Sequence, residues 1–300
     1  MRIVALDDNP HPKGQIQDRQ MQISTTTRRI TLLLGLPALV FLVFFFLLPL
    51  VDVLRNSLID PTLTFENYAD LFSSRVYAQV FFKTFQIALV VTLLCLALGY
   101  PTAYVISALN SKRLQSLALI FVIIPFWISL LVRTYAWMVV LGRTGVVNSL
   151  LLTLGLIDQP LRLLYIRFSV LVGMTHILLP FMILSLYAVM QGIDRRLVSA
   201  AATLGAGPVR AFLTIFLPMS MPGVAGGSLL VFIMALGFFV TPALLGGRGD
   251  IMISMLVETQ ARQLLDWGFA AALSAVLLGI TLVVLVIYHR LIGLDRLWSV

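Results

Sequence analysis

Long apolar stretches separated by short charged turns fill this chain from residue 30 onward. Six of them are long: Ile30–Val51, Thr84–Leu109, Leu117–Val140, Phe168–Met190, Met221–Leu245 and Gly268–Tyr288. None carries Asp, Glu or Lys, and Arg133 is the one strong cation inside them. A hydrocarbon core about 30 Å thick needs ~20 helical residues, so each stretch is long enough to cross. Backbone groups left unpaired in lipid are costly, which makes helix the required conformation. The pattern therefore predicts an all-α membrane protein with six transmembrane helices and both termini on one side.

The shorter segments change the picture at three places. Residues 1–29 are polar, with Asp7, Asp8, Asn9, Pro10 and Pro12 and no helical period, and are expected to form a tail outside the membrane domain of residues 30–300. The first apolar run follows Arg28-Arg29. It is too long for the apolar region of a cleaved leader and no small-x-small site follows it, so it reads as a retained helix. Val146–Ile157 is mostly apolar but about half the length a span needs. Between Gly145 and Asp158-Gln159-Pro160 it reads as an interfacial or re-entrant helix. Pro37, Pro49, Pro101, Pro125, Pro180, Pro222 and Pro242 each remove a backbone donor from an apolar segment, which favours helix bending.

Composition confirms the membrane reading and removes competing classes. Of 300 residues, 60% are hydrophobic and 11% charged, against about 25% charged in an average soluble domain. Mean hydropathy is +1.00, too high for a water-soluble globule. The net charge of +8 would suggest nucleic acid in a soluble domain, but these cations flank apolar runs. They read as topology signals and lipid-headgroup contacts, with no nucleic-acid partner. Twelve Lys and Arg fall on the side of the termini and nine on the opposite side, which places both termini in the cytoplasm. Cys95 is the one cysteine, so it forms no internal disulfide and no metal cluster.

The segment 191–218, between the fourth and fifth spans, carries the most information. Asp194 is placed to cap a helix that the run Ala200-Ala201-Ala202 favours. Gly205-Ala206-Gly207-Pro208 ends it, and Val209–Leu217 reads as a second short amphipathic helix leading to Pro218. Small side chains around Thr203 and Gly205 let another backbone approach closely, while Leu204 and Val209 offer apolar anchors. Such a helix–turn–helix suits docking into a groove on a soluble partner.

Ala200-Ala201, then Gly205 after three residues, then Ile215-x-Leu217-Pro218 after nine more, resembles the "EAA" loop of bacterial ABC-importer permeases. Pro125-Phe126-Trp127, Leu131 through Trp137, Gly155 through Leu161, Leu178-Leu179-Pro180-Phe181 and Asp266 through Ala270 are similar to its spermidine/putrescine subfamily. The resemblance covers roughly residues 60–290. One departure stands out: Ser199 occupies the position of the loop's name-giving glutamate. The resemblance implies a type I importer permease in the bacterial inner (cytoplasmic) membrane, with the loop contacting an ATPase through Ser199, Ala200, Ala201, Ala202, Thr203, Leu204, Gly205, Ala206, Gly207, Pro208, Arg210, Ile215, Leu217 and Pro218.

It further implies two cytoplasmic ABC ATPase subunits, a second permease subunit in a heterodimer, and a periplasmic solute-binding protein. ATP and Mg would act at the ATPase, with no cofactor or metal bound by this chain. The implied solute is a polyamine such as spermidine or putrescine; another amino-group compound, an aminophosphonate or an opine-like molecule, is the alternative. Phe126, Trp127, Arg133, Tyr135, Trp137 and Phe238 are candidates to line the pathway by cation–π or stacking contacts. No catalytic residues are expected: G-x-x-x-x-G-K-[ST], H-E-x-x-H and G-x-S-x-G are all missing. An ion-coupled secondary transporter would use carboxylates inside its spans, and there are none. An intramembrane enzyme would need a constellation around His176, which has no acidic neighbour in sequence.

Overall fold

A computed structural model describes residues 35–60 and 62–292. The polar tail 1–29 and the first residues of the first span lie outside the described residues. The chain divides into two compact units, Met1–Arg55 and Asn56–Val300. In the first, α1 (Gly35–Asn56) is long and apolar enough to cross a membrane. Phe41 and Phe45, one turn apart, bring their ring centroids to 4.6 Å.

The second unit begins with a minimal antiparallel pairing in which Ile59 faces Leu63, then continues as helix. In chain order these are α2 (Glu66–Ser73), α3 (Arg75–Ala108), α4 (Lys112–Ile123), α5 (Leu130–Leu141), α6 (Val146–Thr153) and α7 (Arg167–Gln191). There follow α8 (Arg195–Thr203), α9 (Pro208–Leu236), α10 (Val240–Leu245), α11 (Ile253–Glu258) and α12 (Trp267–Ile292). Among the described residues six helical segments are long and apolar enough to span. Four coincide with the stretches expected from the sequence; the fifth, expected over Met221–Leu245, runs instead from Pro208 to Leu236, with Val240–Leu245 as the separate α10.

The third does not coincide either. Residues 117–140 are not one helix, because a 3-10 turn at Ile124–Trp127 separates α4 from α5. Pro125 has no N–H to donate to the preceding turn, the helix tightens into the 3-10 turn, and the backbone becomes extended at Ile128 and Ser129, where the chain changes direction. The segment that meets the length and apolarity of a span is Leu130–Thr153, which takes in α6. A second correction concerns Val209–Leu217, which is not a separate short helix. It is the start of α9, continuous with the fifth span.

That continuity has a cost in register. Phe212–Phe216 forms a π turn, with the Leu217 N–H bonded to the Phe212 carbonyl five residues back. Pro218 follows almost at once, and a proline in a helix strips the carbonyl four residues earlier of its partner. The wider turn absorbs that defect without breaking the helix. The same arrangement recurs in α1, where the π turn Val43–Leu47 precedes Pro49. Pro101, Pro180 and Pro222 lie inside helices that continue through them.

The core centres on α7. Met174, Leu178, Met182, Leu186 and Met190 recur along it and are all buried. They pack against Ile87, Val91 and Cys95 of α3 and Val231 and Ala235 of α9. Two glycines permit the approach from opposite sides. A Cβ at Gly99 would meet Met182 Cγ at 2.9 Å, and one at Gly227 would meet Met182 Sδ at 2.9 Å. Lipid offers no hydrophobic drive between helices, so this close backbone contact is what holds them. Buried hydroxyls turn back on their own helices: Thr84 donates to the Val80 carbonyl at 2.8 Å and Thr92 to the Ala88 carbonyl at 2.7 Å. Thr84 Oγ1 also accepts the Ile253 N–H at 3.0 Å, tying α3 to α11.

Candidate functional site

The loop after α7 folds as its residue types demand. Asp194 accepts the Arg196 N–H at 2.9 Å, filling the N-cap of α8. At the far end the Leu204 N–H bonds the Ala200 carbonyl and the Ala206 N–H bonds the Ala201 carbonyl at 3.0 Å. This closure needs a left-handed residue between them, and Gly205 supplies it with φ of +87°. Gly207 is extended and Pro208 opens α9 at the position where its missing N–H costs nothing. The outcome is a tight helix–turn–helix whose tip is uncovered. Leu204 is 89% exposed and Val209 70% exposed, values that mark residues with no partner in their own fold. Ala200, Thr203, Gly205, Gly207 and Arg210 are also exposed.

Below the tip the loop is fastened by aromatic rings. Tyr104 on α3 meets Phe212 edge-on at 5.5 Å and Phe216 edge-on at 5.0 Å. Tyr100, one turn away, meets Phe212 edge-on at 6.2 Å. The Tyr100 hydroxyl shares a hydrogen bond of 2.8 Å with Ser220, whose own hydroxyl reaches the Leu217 carbonyl at 2.8 Å. A cavity of about 260 Å³ remains between α8 and these rings, lined by Tyr104, Val198, Ser199, Pro208, Phe212 and Phe216. Ile215 and Leu217 are half-buried on this segment. Sequence reasoning missed the aromatic group. Its signal was the four-residue spacing at Tyr100/Tyr104 and Phe212/Phe216, which places each pair on one helix face.

The opposite end of α7 is held by polar groups. Asp250 is buried, and Arg167 Nε lies 3.4 Å from its Oδ1. Arg167 also donates to Gln86 Oε1 at 2.9 Å. Ser169 donates to the Leu245 carbonyl at 2.7 Å, and that carbonyl accepts the Tyr165 N–H as well. Four segments meet there: α3, α7, the end of α10 and the glycine-rich turn before α11.

The six aromatic and basic pathway candidates do not form one group. Arg133 and Trp137 share a face of α5, and Trp137 meets the His176 ring edge-on at 5.6 Å. Phe126 meets Phe181 edge-on at 4.8 Å, further along α7. These three therefore lie along α7. Trp127 is 89% exposed and Tyr135 is also exposed. Phe238 packs on the core elsewhere, where its carbonyl accepts the Ser254 hydroxyl at 2.6 Å. Among the described residues, Nε and Nη1 of Arg133, Nδ1 of His176 and Oγ1 of Thr175 are buried without a hydrogen-bond partner. No group of three or more His, Cys, Asp or Glu could hold a metal ion among the described residues.

Comparison with known proteins adds a third line of observation. Residues 96–292 match the family described as "Binding-protein-dependent transport system inner membrane component". The chain is 35% identical over 258 residues to the spermidine/putrescine transport system permease protein PotB of Haemophilus influenzae, covering 83% of this chain and 90% of that protein. It is 36% identical over 234 residues to PotB of Escherichia coli K12, covering 78% and 84%. Among solved structures, a bacterial alginate ABC transporter, in complex with an alginate pentasaccharide-bound periplasmic protein, superposes with a TM-score of 0.70 at 20% identity. That superposition covers 92% of this chain and 98% of the other, and it speaks to the fold.

Proposed function

The chain belongs to the family of binding-protein-dependent transport system inner membrane components, and from that membership we propose that it is one permease half of an ATP-driven polyamine importer. It is a multi-pass inner-membrane protein of a binding-protein-dependent system. The observation that carries the solute class is its likeness, over most of its length, to permeases named for spermidine and putrescine.

In this reading two cytoplasmic ATPases bind ATP and Mg, and a second permease subunit completes the membrane core. A periplasmic protein delivers the solute. The chain itself performs no bond-making chemistry. The excess of basic residues beside the termini supports a cytoplasmic position for the loop. Leu204 and Val209 are the anchors that enter a groove on the ATPase, and residues 199–210 act as a lever. The capping at Asp194 and Gly205 makes that lever stiff, and the Tyr104–Phe212–Phe216 rings transmit its movement to α3 and α9. Phe126, edge-on against Phe181 of α7, is the residue assigned to the pathway side.

The test is reconstitution of the complete importer in proteoliposomes with ATP inside and labelled spermidine or putrescine outside with the binding protein. Uptake should require ATP, the binding protein and this chain together. Uptake that persists without the ATPase would overturn the reading. Failure of both polyamines to bind the delivering protein would overturn the solute assignment alone.

A further inference from the structure

Two unpaired polar side chains, Thr175 and His176, face one groove of the membrane domain, and Arg133 lies one helical turn before Trp137, which walls it. The groove encloses about 580 Å³ and is walled by Leu94, Leu98, Trp137 and Leu171, with Thr175 and His176 as its polar points. Thr175 is 7% exposed and its hydroxyl has no partner among the described residues. His176 Nδ1 is equally unpaired, and so are two of the three guanidinium nitrogens of Arg133. His176 lies nine residues from the start of α7, about 14 Å along the helix axis. That depth is beyond the headgroup layer, where neither water nor a lipid phosphate serves as a ready partner.

Arg133 falls between the Trp137–His176 and Phe126–Phe181 contacts along α7, no nearer the start of that helix, and charges inside a membrane pair with one another or face a site of function. Among the described residues the ion pairs are Arg55 with Asp52 and Arg167 with Asp250, and neither involves Arg133. The proposed solute is a cation and carries no carboxylate. We propose that Arg133 receives a carboxylate from an Asp or Glu within a membrane helix of the second permease subunit. The apolar flank of that helix fills the adjoining groove. Arg133 N–H groups donate to the carboxylate, and the Thr175 hydroxyl and His176 imidazole supply the polar surroundings that make a buried pair tolerable. The inference rests on the permease reading and names the chemistry of that subunit's contact surface.

The test uses the complete importer in native membranes and the variant Arg133→Lys, which places a primary amine at this position. A membrane-permeant carbodiimide then joins amine to carboxylate only where the two are in contact. An amide link between residue 133 and an acidic residue of the second permease, found by mass spectrometry, is the expected result. Arg133→Gln gives no link, and in detergent it recovers at least fivefold less second permease with the chain while its own membrane level is unchanged. Arg133→Lys retains the subunit. A second permease that co-purifies normally with Arg133→Gln and gives no link with Arg133→Lys would overturn the inference and leave the importer reading intact. A link to the binding protein or within this chain would overturn it equally. If the wild-type chain recovers no second permease at all, the heterodimer reading itself fails, and the inference with it.

Discussion

The two ends of α7 are secured by different physics. At its start, Arg167, Gln86, Asp250 and the Leu245 carbonyl are joined by directional polar contacts, with Asp250 buried. At its end, the following loop is held from below by edge-on aromatic rings and leaves its own tip bare. Polar contacts of fixed geometry lose their value when partners shift by an ångström, so they suit a junction that keeps one arrangement. Aromatic edges tolerate sliding and rotation over a broad range of centroid distances. The loop end is thus the one that tolerates movement, and its tip leaves Leu204 and Val209 uncovered.

That contrast can be broken deliberately. Phe216→Ala removes a buried ring from the aromatic support and should destabilise the chain by about 3–4 kcal/mol. Thermal unfolding in detergent reads this, and an unchanged midpoint would show that the rings are not structural. Asp250→Ala should cost less, about 2 kcal/mol, because Arg167 keeps Gln86 and is partly exposed. Protease sensitivity of the 246–250 turn should rise in parallel. Gly205→Ala meets no neighbouring atom but forces a left-handed backbone onto a residue with a Cβ, costing about 1 kcal/mol. Its stability should fall slightly while coupling of ATP hydrolysis to uptake falls more, and intact coupling would count against a stiff lever. Leu204→Asp should leave stability within about 0.5 kcal/mol, since the side chain touches little of its own fold. Co-purification of the ATPase should nonetheless drop sharply, which separates a docking anchor from a packing residue.

The spans were legible in the sequence because a membrane demands long uninterrupted apolar helices, and composition alone reveals them. Asp194 and Gly205 were legible for a similar reason: a cap and a left-handed turn are local demands that one residue type meets. The division of the third stretch was not legible because Pro125 bends many helices without dividing them, as Pro101 and Pro180 show within this chain. Whether a proline breaks a helix depends on what packs beside it. The aromatic support and the Arg167–Gln86–Asp250 junction depend on residues about 80 to 120 positions apart, so no local pattern joins them. Arg133 was visible as an anomaly, but its neighbour His176 came from a different helix.

The widened turn at Phe212–Phe216 sets a phase. One extra residue in a helical circuit displaces everything beyond it by about 100° around the axis. Pro208 and Arg210 therefore face a different quarter from the one a plain helix running back from Ser220 would assign them. Deleting Thr214 alone would wind the helix back to its ordinary pitch and swing the bare tip sideways, away from whatever it was aimed at. For this segment, length counts as much as residue identity.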